Sequence, residues 1–129
     1  MRAALEEVAA RAAAPVMKGA VAALEAELAG MRAAAREHDG HAFVVHDVAF
    51  HRAIVAASGN RTLQELWGSL HVDLRTTITL VRRAEDLGAV AESHVVVMEA
   101  LAAGAPERAA RALREHIESF ADWVQPPGA

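Results

Sequence analysis

Cysteine and tyrosine are missing from this chain, and aromatic residues make up only 4% of it. Without thiols there are no disulfides, no thiolate ligands and no thiol nucleophile, so any metal must be held by His, Asp, Glu or water. That profile suits a reducing cytoplasm. Strand signals are also scarce, while alanine dominates an apolar fraction of 53%. Such a composition is buried by closely packed helices, anchored here by a few Leu, Val, Ile and Phe side chains. No apolar run approaches the roughly 18 residues of a membrane span. The opening MRAALEEVAARAAAP carries acids where a signal peptide would carry a basic start and an unbroken apolar centre. A basic stripe is lacking as well: with a net charge of -4 and a pI near 5.9, the chain alone is not expected to hold DNA.

What is present is punctuation. At 129 residues the chain is one domain long, and its breakers divide it into about six helices. Pro15 predicts a boundary between a short helix over Met1 to Ala14 and a second over Pro15 to Arg36. After EHDGH, a third helix covers Ala42 to Ala57 and stops at SGN, where Gly59 or Asn60 can take a left-handed backbone. A fourth covers Thr62 to Arg83, a fifth Val90 to Ala103, and a sixth Pro106 to Val124. The expectation is an all-α antiparallel bundle over residues 1–124, with 125–129 as a tail.

Several helical stripes are interrupted by polar residues. Phe43, Asp47, Phe50 and Ile54 fall at spacings of four, three and four, one face of a 3.6-residue period. Val90, His94, Val97 and Leu101 repeat the spacing, as do Ala109, Leu113, His116 and Phe120. His51 lies four residues after Asp47 on the same side of its helix. Asp47, His51, His94 and His116 therefore form a candidate metal constellation, since burying a lone carboxylate costs several kcal/mol or more unless something pairs with it. Imidazole and carboxylate bind divalent transition ions at about 2.0 to 2.2 Å. Zinc is the first choice, and nickel, manganese and iron are compatible. The bland alternatives are hydrogen-bonded core histidines, and an Asp47 that pairs with Arg52 or caps a helix. His38, His41 and His46 read as surface residues.

The same residues resemble a known family. D-x-x-F-H at Asp47 to His51, A-x-G-N at Ala57 to Asn60, a His opening one helix and another 22 residues later are similar to the FCD domain. Further matches are R-x-x-L-E at Arg2 to Glu6, the rhythm of Leu63, Leu66 and Leu70, and A-x-x-A-L-R-E-H at Ala109 to His116. The FCD domain is the effector-binding C-terminal domain of FadR-type GntR transcription regulators. The resemblance implies a helical bundle, a metal on the Asp and three His, a small carboxylate effector over it, and a homodimer. It also implies a winged helix-turn-helix domain in front, which is not part of this sequence, so DNA is expected as a partner only through such an attached domain. Ser93 departs from the Glu that the family often places before its fifth-helix His.

Effector selection calls for a further donor near the metal. Leu63, Leu66, Leu70, Leu74, Ile78 and Val81 are expected to form the buried face of the fourth helix, with Arg75 on its flank beside His71 and Arg82. Arg75 is the candidate for a bidentate grip on the effector carboxylate, and Asn60 a second candidate donor. The competing functions are a metal-dependent hydrolase and a purely structural dimerisation module. Against the hydrolase, there is no HExxH motif and no further acid in an inward stripe to act as base, so the expectation is a regulator and not an enzyme.

Overall fold

The computed structural model describes residues 1–70, 72 and 86–123, with side chains described up to 119 in the last helix. Among the described residues there are helices and turns and no strands, an all-α bundle as the composition requires. The helices are α1 (Arg2–Met17), α2 (Ala22–Arg36), α3 (Gly40–Ala57), α4 (Arg61–Ser69), α5 (Leu87–Glu92), α6 (Val95–Ala102) and α7 (Pro106–Trp123). None of them is long and apolar enough to cross a membrane.

Alanine decides how the first and last helices meet. The inner face of α1 carries Ala9, Ala10, Ala13 and Ala14, all fully buried, and α7 answers with Ala109 and Ala110. Side chains this small let α1 lie close along α7 and also against α3. Larger anchors fill the other half: Leu24, Leu28 and Met31 of α2, spaced four and three apart, pack on α3 through Phe43, Phe50 and Ile54. The exposed seam of α1 and α7 is laced by Arg11–Glu107 at 2.8 Å and Arg114–Glu7 at 3.4 Å.

Three sequence expectations are corrected. Pro15 does not start a new helix; α1 runs through it to Met17. The residue lies in the last turn on the exposed side, so a single amide bond is forgone while Ala13, Ala14 and Met17 stay buried around it. The real break is at Gly19, whose φ of 67° is left-handed and whose N–H donates to the carbonyl of Ala102 at 2.9 Å. The fifth helix is interrupted at Ser93 and His94 into α5 and α6. Both side chains bond to the carbonyl of Val90, the acceptor that a continuous helix would assign to the His94 amide. On α4 the buried side chains are Leu63 and Trp67, whereas Leu66 is 48% exposed, because the inward stripe steps by four to the indole.

Caps fix the entry of two helices. Asp39 accepts from the Ala42 amide at 3.0 Å to start α3, and Asn60 accepts from the Leu63 amide at 3.0 Å to start α4. Gly59, not Asn60, takes the left-handed backbone that ends α3.

Candidate metal and effector centre

Glu6, Asp47, His51, His94 and His116 are the buried polar side chains among the described residues, and all five meet in one cluster. Asp47 and His51 come from adjacent turns of α3, His94 from the break between α5 and α6, His116 from α7, and Glu6 from α1. The structure thus brings together all four residues of the candidate constellation and adds a fifth. The imidazole centroids lie 5.5 Å apart for His51 and His94, 5.4 Å for His51 and His116, and 4.3 Å for His94 and His116. Phe50 stands edge-on to His94 at 4.9 Å and to His51 at 5.8 Å, closing one side with apolar surface.

The hydrogen bonds assign the ring protons. His94 Nδ1 lies 2.9 Å from the Val90 carbonyl and 3.3 Å from that of Ala91. Carbonyls only accept, so Nδ1 carries the hydrogen and Nε2 carries the lone pair of the neutral ring. Nε2 nevertheless sits 2.9 Å from Asp47 Oδ1. His51 repeats the arrangement, with Nδ1–H donating to Glu6 Oε1 and Nε2 3.3 Å from the same Asp47 oxygen. The Ser93 hydroxyl donates to Val90, so its oxygen is the acceptor for His116 Nδ1–H at 3.3 Å, which makes Nε2 the basic nitrogen of that ring too. Two imidazole lone pairs thus face one carboxylate oxygen in a dry interior, an arrangement that is favourable only with a cation, either a proton or a metal ion, between them.

Electrostatics agree. Burial opposes ionisation of Glu6, but His51 and Arg2 outweigh it and hold the carboxyl at about 2. Burial likewise opposes charge on His51, while the Glu6 charge and the Asp47 hydrogen bond raise it to about 9. Asp47, also opposed by burial, is held well below the usual carboxylate range by His94 and His51. His116 is pushed well below an ordinary histidine by burial and then by the neighbouring His94 and His51.

His51, His94 and His116 each offer one ligand atom within 4.8 Å of the others, a group able to hold a metal ion. Opposite ligands on an ion with bonds near 2.1 Å are about 4.2 Å apart, so small side-chain rotations suffice. Asp47 lies against two of the three, and Glu6 and Ser93 bond the far nitrogens of His51 and His116, the place that second-layer partners take where such rings hold a metal. Asp47 does not pair with Arg52, whose guanidinium lies 5.7 Å from the Trp67 ring centroid. Of the remaining histidines, His38 and His41 are exposed and His46 bonds Glu27 at 2.8 Å. Asn60 is exposed, with its Oδ1 engaged in capping α4. Arg75, His71 and Arg82 lie outside the described residues, as do Leu74, Ile78 and Val81.

Glu6 is the member of the cluster that the apolar stripes did not single out. Glu6, Ala9, Ala13 and Met17 step by three, four and four, so the signal was available, but an alanine-rich helix gives it little contrast.

Among the described residues, the helices enclose one buried centre of histidine and carboxylate side chains. The chain belongs to the FCD domain family, whose family model matches residues 1–119, and with it to the C-terminal effector-binding domains of FadR-type GntR regulators, which are not enzymes. It is similar to the probable D-xylose utilization operon transcriptional repressor of Paenarthrobacter nicotinovorans, with 31% identity over 120 residues. That alignment covers 93% of this chain and 53% of the relative, so the chain spans about half the length of the curated relative it matches.

Proposed function

We propose that this domain senses a small organic acid through a divalent metal held by Asp47, His51, His94 and His116, and thereby controls the DNA binding of an attached winged-helix domain. The observation that carries the reading is the convergence of His51 Nε2 and His94 Nε2 on one Asp47 oxygen, with each opposite nitrogen already committed to an acceptor. The donor set fits zinc first, then nickel, manganese or iron. With Arg2 offsetting Glu6, three neutral imidazoles and one aspartate leave about one positive charge at a site holding M2+, which favours an anionic effector. The ion supplies Lewis-acid attraction for that anion. Asn60 and Arg75 are the proposed donors to the effector's remaining oxygens.

Effector binding acts as a switch only by favouring one arrangement of the homodimer that the reading includes, since equal affinity for two states shifts neither. A hydrolase reading gains nothing, because the second buried acid, Glu6, is spent on His51, Arg2 and Trp67. The experiment is elemental analysis of the purified protein, a thermal-shift screen of organic acids, and an operator titration with the chain fused to a winged-helix domain. The screen includes D-xylose and its aldonic acid, given the relative's operon. Acids are expected to raise the melting temperature only with metal present and to change operator affinity. Metal-dependent binding without any change in operator affinity sinks the sensing role and favours a structural module. Equal acid affinity in His94→Ala separates the effector from the metal.

A further inference from the structure

Glu6 is fully buried, and both of its oxygens are occupied. Oε1 accepts from His51 Nδ1, while Oε2 accepts from Arg2 Nε at 2.6 Å and from Trp67 Nε1 at 3.1 Å. One carboxylate on α1 therefore ties together an imidazole from α3, an indole from α4 and the guanidinium in the first turn of α1. A neutral imidazole has one N–H to place, and a carboxylate behind Nδ1 keeps it there, so Nε2 faces Asp47.

We propose that Glu6 is the positioning residue of the centre: it holds the His51 tautomer and transmits occupancy of His51 Nε2 to Arg2 at the start of α1 and to Trp67 on α4. The inference rests on the metal reading above. Its physical basis is that a metal ion on Nε2 displaces the proton of the charged ring, and a metal-bound imidazole is a weaker Nδ1 donor than an imidazolium. The pull of His51 on the carboxylate then relaxes, and the bonds that Oε2 accepts from Arg2 and Trp67 strengthen in step. Trp67 is 4% exposed and reports that change directly, because its N–H ends on Oε2.

The test uses Trp123→Phe, which leaves Trp67 as the remaining one of two tryptophans. Zinc binding is followed by Trp67 emission and cobalt(II) binding by ligand-field absorption, in this background and with Glu6→Gln or Glu6→Asp added. Zinc is expected to shift the Trp67 emission maximum. Glu6→Gln keeps the volume but not the charge, so it should weaken cobalt binding by about 10- to 100-fold and lose the emission response, with partial recovery in Glu6→Asp. Lowered melting temperature with affinity and optical response intact would mean a merely structural role and overturns the inference. If Glu6→Gln does not fold, the Trp123→Phe protein decides, and emission unmoved at saturating zinc overturns it. Cobalt binding equal in all variants removes this inference alone, whereas no binding by the wild type removes the metal reading and the inference together.

Discussion

Metal and pH should act on stability together, and the His51–Glu6 pair sets the size of the effect. In the metal-free protein, His51 rises from an ordinary 6.5 to about 9, held charged by Glu6 and Asp47 against the cost of burial. A raised folded value means that the stabilisation is complete below about pH 6.5 and is lost as the pH climbs through 9. The shift corresponds to about 3 kcal/mol, and the matching depression of Glu6 is the same interaction seen from the other side, so it counts once. For a domain of this size that is roughly 10 °C in melting temperature. Below about pH 6.5, His116 works in the opposite sense: burial holds it neutral in the fold while the unfolded chain takes up its proton, so stability falls again. With chelator present, the melting temperature should therefore peak near pH 6.5 and drop by about 10 °C toward pH 9. With saturating zinc the high-pH decline should vanish, since neither the metal-bound nor the unfolded state then carries the His51 proton. Calorimetry at pH 7.5 in buffers of different ionisation enthalpy should find about one proton released per zinc. A chelated protein whose melting temperature is level or rising from pH 6.5 to 9, or zinc binding without proton release, would refute the reasoning.

Asp47→Asn replaces the oxygen shared by two imidazoles with a group that can donate to one of them. It should fold, yet bind zinc at least about 100-fold more weakly by calorimetry. Asp39→Ala removes the cap of α3 and should cost about 1 kcal/mol in thermal unfolding while leaving zinc affinity unchanged, because the cap lies two turns from Asp47. Asn60→Asp keeps the capping oxygen but deletes the amide donor, so stability should hold within a few tenths of a kcal/mol. If Asn60 contacts the effector, acid affinity should fall several-fold in the same protein; unchanged affinity would reduce Asn60 to its cap.

Periodicity exposes residues that are out of character on their own face, which is why Asp47, His94 and His116 could be picked from stripes of Phe, Val and Leu. It works less well where the stripe is alanine. Glu6 sits among residues nearly as small and neutral on the outer face of α1 as on the inner, and its role depends on a partner 45 residues away. Helix ends follow a similar rule. Gly59 ends α3 through its own backbone, so that stop is local and readable, whereas the caps Asp39 and Asn60 went unread because a cap is told from any other polar loop residue only by the amide it accepts from. The break at Ser93–His94 is not readable, because the apolar spacing continues across it and only the competition of two side chains for the Val90 carbonyl interrupts the ladder. Pro15 misled for the converse reason: a strong local breaker was overruled by burial of its neighbours against α3 and α7.

The buried polar cluster runs in sequence from Glu6 to His116, nearly the full length of the described chain. During synthesis, α1 through α6 can leave the ribosome and collapse before α7 exists, but Glu6, Asp47, His51 and His94 then lack the wall that His116 and Leu113 provide. Charges in that half-built interior remain wet, and the collapsed chain has little to gain by closing over them. Docking of the last helix is thus the moment at which the interior dries, and a chain cut short before α7 should be open to proteases where the finished one is not.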